Sequence, residues 1–202
     1  MTETNKDSVP ALFGLVLAGG RSRRFGSDKA AIEIDGRTLL ARTFGLLDSV
    51  ADEVFVSVAA GHSAEELRDA FPTIKDDEPD LGPAGGLRSA HRQHPDAAWF
   101  VVACDLAGLD ERTVAGLVKS RNAGKAATAY RSPVDGRAEP LCTIYEPATL
   151  ARFARQPATG QGLSPRRLLR GCDVELVEPL DPGALRNINT PEDLDDGAGN
   201  AT

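Results

Sequence analysis

Gly19 and Gly20 are followed within nine residues by Arg21, Arg23, Arg24 and Lys29, and the apolar run 15–18 stands directly before them. Paired glycines let a chain turn sharply and bring backbone N–H groups against a ligand, while Arg23 and Lys29 suit the neutralisation of phosphate oxygens. The spacing is neither G-x-x-x-x-G-K-[ST] nor G-x-G-x-x-G, so the stretch is not one of the common nucleotide loops. A charge cluster on a loop is more often a solvated face. Its position after a buried strand, at the end where open α/β sheets bind ligands, shifts the reading toward an anion site.

Two further polar stretches follow predicted strands. Asp105, in VVACDLAGL, is a lone carboxylate that either caps the next helix or, with a triphosphate at the glycine loop, is placed to hold Mg²⁺, a hard cation that needs few protein ligands. In DDEPDLGPAGGLRSA, Gly82, Gly85, Gly86 and Pro83 offer a wall poor in side chains against which a flat base would lie, with Asp77 or a backbone carbonyl reading its exocyclic groups. By itself that stretch reads as a tight crossover loop. His62, His91 and His94 lie in or beside predicted helices without a partner and are expected to face solvent rather than to act in catalysis.

The chain that must position these groups has 202 residues, 41% of them hydrophobic, which suffices for one α/β domain with a sizeable core. A formal net charge of -7 argues against nonspecific binding to nucleic acid or anionic lipid outside the small arginine cluster. No apolar run reaches membrane-spanning length and the MTETNKDS start has no signal-peptide layout, so a cytoplasmic protein with neither membrane nor nucleic acid as partner is expected. Cys104, Cys142 and Cys172 are odd in number and far apart, which reads as thiols in a reducing compartment.

Apolar, strand-like runs at 13–17, 54–58, 99–103, 126–130, 141–145 and 174–177 alternate with helical spacing at 38–47, 63–70, toward Ala90, 110–119, 148–155 and from Ser164-Pro165 toward Gly171. Ser63 with Glu66 forms a capping box, and Thr190 with Pro191 marks a last helix start. The run 99–103 is apolar on both faces, as an interior strand of a parallel sheet must be. The alternation predicts an α/β fold, three layers of Rossmann-like type around a central, mostly parallel sheet. One domain is expected over residues 9–195, with unstructured tails at 1–8 and 196–202.

LAGGRSRRFGSDKA, the DxxxxGPAGGL stretch from Asp77, CDLAGL and NINTPEDL occur in this order, and together they resemble the molybdenum cofactor guanylyltransferases. These transfer GMP from GTP to molybdopterin and sit within the wider Leu-Ala-Gly-Gly nucleotidyltransferases. The likeness spans about residues 12–195. The opening motif specifies only the wider class, and Asn-x-Asn-Thr-Pro-Glu-Asp-Leu narrows it.

The resemblance implies that Leu17, Ala18, Gly19 and Gly20 line the nucleotide and that Lys29 contacts its phosphates, where the charge cluster itself adds Arg23 as a catalytic candidate. Asp77 would lie beside the guanosine near Gly82, a place that Asp76 takes if the loop is counted differently. Asp105 would bind Mg²⁺ or Mn²⁺, and Asn187 and Asn189 would face the phosphates or the pterin. It also implies proteins that deliver or accept the cofactor as partners. Two positions depart from the pattern: Ala84 replaces a common leucine after Gly-Pro, and Ala107 replaces the proline of Asp-x-Pro. Neither removes a charged group. The alternatives are a cytidylyltransferase for the same pterin, a sugar- or polyol-phosphate nucleotidyltransferase, and a noncatalytic nucleotide-binding regulator.

Overall fold

The computed structural model describes residues 9–18, 28–59, 66–157, 163–188 and 193. Its centre is a seven-stranded sheet in the order β5-β4-β1-β6-β8-β7-β9, built from β1 (Leu12–Leu17), β4 (Glu53–Val58), β5 (Thr73–Lys75), β6 (Ala98–Ala103), β7 (Ala127–Arg131), β8 (Ala138–Tyr145) and β9 (Val174–Val177). β8 runs antiparallel to both β6 and β7, and the remaining pairings are parallel. The carboxyl ends of β5, β4, β1, β6, β7 and β9 therefore share one edge, and the turn between β7 and β8 rises from that same edge.

Every residue of β6 is buried, as its unbroken apolar run requires. Its side chains alternate between two cores. Phe100 and Val102 join Leu12, Val16, Leu40, Leu47, Val114 and Leu117 on one face, beneath α1 (Leu39–Asp48) and α4 (Glu111–Lys119). Trp99 and Val101 join Leu15, Leu87, Leu150, Phe153 and Leu169 on the other, beneath α3 (Pro83–Gln93), α5 (Pro147–Ala154) and α6 (Pro165–Arg170). These are the three expected layers, completed by the short α2 (Glu66–Asp69).

Local chemistry sets the element ends. Thr38, Asp110 and Ser164 each accept a backbone N–H of the first turn of α1, α4 and α6. α3 begins earlier than the sequence suggests. Pro83 occupies its first turn behind Gly82, whose φ of 53° is left-handed and suits glycine. Gly85 and Gly86 are accordingly buried helical residues rather than a loop wall, and a Cβ on Gly86 would stand 2.5 Å from Ser57 Oγ.

The shortest elements were not anticipated, the 3-10 turn Lys29–Ala31 among them. Asp35-Gly36, both with positive φ, turn a small hairpin between β2 (Glu33–Ile34) and β3 (Arg37–Thr38). β5 is too short, at three residues, for periodicity to reveal. A 3-10 turn at Pro182–Leu185 precedes the Asn187 segment. The expected tails, the Ser63 cap and the Thr190 helix start lie outside the described residues.

Two histidines depart from the expectation of solvent exposure. His91 is buried in α3, with burial lowering its pKa. His94 stacks among Phe13, Phe55 and Trp99 at the amino end of the strands. Both fill space where helices meet the sheet, and His62 lies outside the described residues.

The segment just after α4 is tied to the β8–α5 junction by a two-pronged pair largely withdrawn from solvent. Arg121 Nε and Nη2 donate to Glu146 Oε1 and Oε2 at 2.8 and 3.0 Å. Arg121→Met would strand the Glu146 carboxylate, and urea unfolding is expected to show a loss of about 3 kcal/mol. A further Glu146→Leu change should restore much of it, because the unpaired charge is then gone.

Candidate active site

Register places the functional loops side by side. Leu17 and Ala103 are paired at the ends of β1 and β6, and Cys104 N donates to Leu17 O at 3.3 Å. Asp76 N donates to Val58 O, so the segment after β5 meets the end of β4. Leu17 and Ala18 are buried at this edge. Gly19, Gly20 and Arg23 lie outside the described residues.

Lys29 is the meeting point. It opens a 3-10 turn, Lys29–Ala31, that Asp28 caps by accepting from Ala30 N. Its ammonium donates to Asp105 Oδ2 at 3.2 Å and to Ile188 O at 2.5 Å. Ile188 N in turn donates to Asp105 O at 2.8 Å. The segment between Asn187 and Asn189 is thereby fastened to the CDLAGL loop and to the lysine at once. Gly108 is required here, because a Cβ would stand 2.7 Å from Gly183 O. Asn187 is exposed, and Asn189 lies outside the described residues.

Sequence reasoning missed Arg68 of α2, which is only 8% exposed. Its guanidinium donates to Asp28 Oδ2 at 2.7 Å and to Ala18 O at 2.5 Å. Nothing in the pattern of a short polar helix signals this, since one arginine among exposed charges looks like any other. Cys104 lies amid these charges. Burial together with Asp105 and Asp28 pushes its thiol up to about 12, which keeps it neutral and unreactive at ordinary pH.

The two candidate base-side aspartates are placed differently. Asp77 is half exposed, and its Oδ2 pairs with Arg92 Nη1 at 2.8 Å. Asp76 is 8% exposed beside the first turn of α3, with Oδ1 accepting from Ser57 Oγ at 3.0 Å. Its Oδ2 lies 3.0 Å from where a Gly85 Cβ would stand. Burial raises its pKa from 3.8 to about 6, with a smaller contribution from Asp77 and opposition from the Ser57 hydrogen bond.

Asp105 presents the hard oxygen chemistry a divalent cation requires. Among the described residues no group of three or more His, Cys, Asp or Glu side chains gathers for a metal. A cation that takes one carboxylate and completes its shell with phosphate oxygens and water fits such a site, and that is the habit of Mg²⁺.

A backbone edge, a lysine and a carboxylate thus converge beside the end of β1, from which the glycine segment departs. The MobA-like NTP transferase domain family matches residues 14–178. The chain belongs to this family. A probable molybdenum cofactor guanylyltransferase of Chloroflexus aggregans is 32% identical over 194 residues, covering 90% of each chain. A molybdenum cofactor biosynthesis bifunctional protein of Synechocystis is 33% identical over 186 residues, which span 92% of this chain and 53% of that protein. This chain thus spans about half the length of that relative and nine-tenths of the other. Molybdopterin-guanine dinucleotide biosynthesis protein A of Archaeoglobus fulgidus shares the fold, with a TM-score of 0.70 and 20% identity over 92% of this chain and 96% of that one. No helix among the described residues is long and apolar enough to cross a membrane.

Asp76 carries a pH signature. Its folded pKa lies above the unfolded value, so the native state binds the extra proton and stability falls as pH rises from about 4 through about 6. Asp76→Asn should therefore be more stable than the unaltered chain at pH 7.5, by up to about 3 kcal/mol. Denaturant midpoints at pH 7.5 and pH 4 check this, and the advantage should be lost at the lower pH.

Proposed function

We propose that this chain transfers GMP from GTP to molybdopterin, releasing pyrophosphate, and that residues 9–195 act as one nucleotidyltransferase unit. The observation that carries the reading is the Lys29 ammonium held between the Asp105 carboxylate and the Ile188 carbonyl. One cation there joins the end of the glycine segment, the metal-type carboxylate and the Asn-Ile-Asn strap. The relatives of similar length bear the same activity in their names.

In the reaction a terminal phosphate oxygen of the pterin bonds to the α-phosphorus of GTP, and the bond to the β-phosphate oxygen breaks in line. No side chain has to form a covalent bond, which agrees with the neutral, buried Cys104. The protein must instead hold two anions together and offset charge on the equatorial and leaving oxygens. Lys29 and Arg23 would do so at the triphosphate, and backbone N–H groups of Gly19 and Gly20 would line it. Asp105 would hold Mg²⁺, or Mn²⁺, whose bound charge neutralises phosphate oxygens. Asn187 and Asn189 would serve the acceptor side.

Asp76 suits the base better than Asp77. Asp77 is engaged by Arg92 on the outer side of α3, whereas the Asp76 carboxylate is buried and accepts from Ser57 Oγ. Guanine brings N1–H and N2–H donors that a buried carboxylate needs, and leaving such groups unpaired costs about 1–3 kcal/mol each. Cytosine would face the same carboxylate with acceptors. Asp77 and Gly82 then shape the entry to α3.

A nucleotide panel with Mg²⁺ and molybdopterin, read by pyrophosphate release, tests the assignment. GTP turnover is expected to exceed CTP turnover, and a preference for CTP would give the chain to the cytidylyl-transferring readings. Asp105→Asn should remove most turnover without altering the fold, since the amide loses the charge that attracts a hard cation. Undiminished rates at limiting Mg²⁺ would refute that role. Asp76→Ala should weaken GTP use more than CTP use, while Asp77→Ala leaves the ratio unchanged.

A further inference from the structure

Arg68 stands outside every motif of the sequence, yet it is among the most buried charges in the structure. An arginine buried to this degree is retained only where its donors meet acceptors. Those donors reach two chain segments. Nη2 holds Ala18 O at the end of β1, and Nη1 holds Asp28 Oδ2 at 2.7 Å. The other Asp28 oxygen caps the turn that carries Lys29, by accepting from Ala30 N at 3.1 Å. Lys29 then reaches Asp105 and Ile188. Two sets of charge-assisted bonds, joined through the backbone of the lysine turn, thus connect α2 to the Asp105 carboxylate.

We propose that Arg68 is the positioning residue for Lys29, acting through Asp28 to fix the lysine turn relative to the end of β1, and that it does not itself touch the substrate. The inference rests on the nucleotidyltransferase reading of the site. Geometry supports indirect action. The guanidinium fork matches a carboxylate and a carbonyl held at fixed separation, which a single ammonium on a flexible stem does not reproduce. One Asp28 oxygen takes the Arg68 donor and the other caps the turn, so loss of the arginine frees the capping carboxylate to rotate. Misplacement of a catalytic cation by about 1 Å is enough to cost rate.

The relay predicts energetic coupling between Arg68 and Lys29, which stand in different segments of the chain. Arg68→Met should lower kcat/KM for GTP about tenfold in the unaltered chain. In a Lys29→Ala background the same change should cost less than about twofold, because the group being positioned is already gone. Arg68→Lys, which keeps the charge and the stem, guards against loss of folding and should behave like Arg68→Met. Calorimetric binding of inorganic tripolyphosphate to the same proteins reads the relay without turnover. Affinity should fall with Arg68→Met in the unaltered chain and hold steady in Lys29→Ala. Equal losses in both backgrounds, by either measurement, would reduce Arg68 to a structural role, as would a lowered melting temperature with unchanged kcat/KM and tripolyphosphate affinity. If the unaltered chain fails to turn over GTP, the guanylyl reading falls, and the tripolyphosphate arm still decides the relay.

Discussion

The ammonium of Lys29 joins three parts of the chain that are distant in sequence. It is held by a carboxylate from the loop after β6 and by a carbonyl from the segment after the last 3-10 turn. That second segment also returns an N–H to the backbone of Asp105. A charged amine needs such acceptors when it is mostly withdrawn from water, and each acceptor it takes fixes one wall of the site. The close approach at Gly108, where any side chain would strike the backbone of Gly183, follows from the same demand that the strap lie flat on the CDLAGL loop.

The sheet makes this convergence inexpensive. Because β1 and β6 are neighbours in parallel register, with Leu17 opposite Ala103, the residues that follow each strand emerge side by side. β8 breaks the parallel pattern in the half of the sheet away from the glycine segment, so that its turn with β7 rises on the same edge. The half formed by β5, β4, β1 and β6 is thus a run of parallel strand ends with short polar loops, and the other half adds a hairpin wall.

The strands and helices with strong periodicity were legible from the residues alone. The β6 run is apolar on both faces because both faces carry core, and Asp110 and Ser164 announce helix starts by side-chain chemistry. What escaped had local causes. The three residues of β5 give no measurable period. Asp35-Gly36 did carry a hairpin signal, but its strands are too short to frame it. In Gly82-Pro83-Ala84-Gly85-Gly86, the glycines suggested a loop, whereas proline at the first turn and a left-handed Gly82 start α3 there. At the site, Lys29 and Asp105 were visible because they stand in motifs after strands. Arg68 was not, since its importance lies in depth of burial and in the direction of a fork, neither of which residue type or spacing records.

The contrast between Asp76 and Asp77 shows how packing separates two adjacent identical residues. A strand end alternates its side chains between faces, so neighbouring aspartates cannot both enter the same space. Asp77 turns outward to Arg92, where solvent bears most of its charge. Asp76 turns inward against Ser57 and the first turn of α3, and burial holds its pKa up at about 6. The native state therefore bears an unfavourable charge at neutral pH, with the Ser57 hydroxyl offsetting part of it. Gly85 and Gly86 serve this packing: a Cβ on Gly85 would stand 3.0 Å from Asp76 Oδ2 and one on Gly86 2.5 Å from Ser57 Oγ, so the bare helix turn is what lets the buried carboxylate and its hydroxyl donor lie against α3.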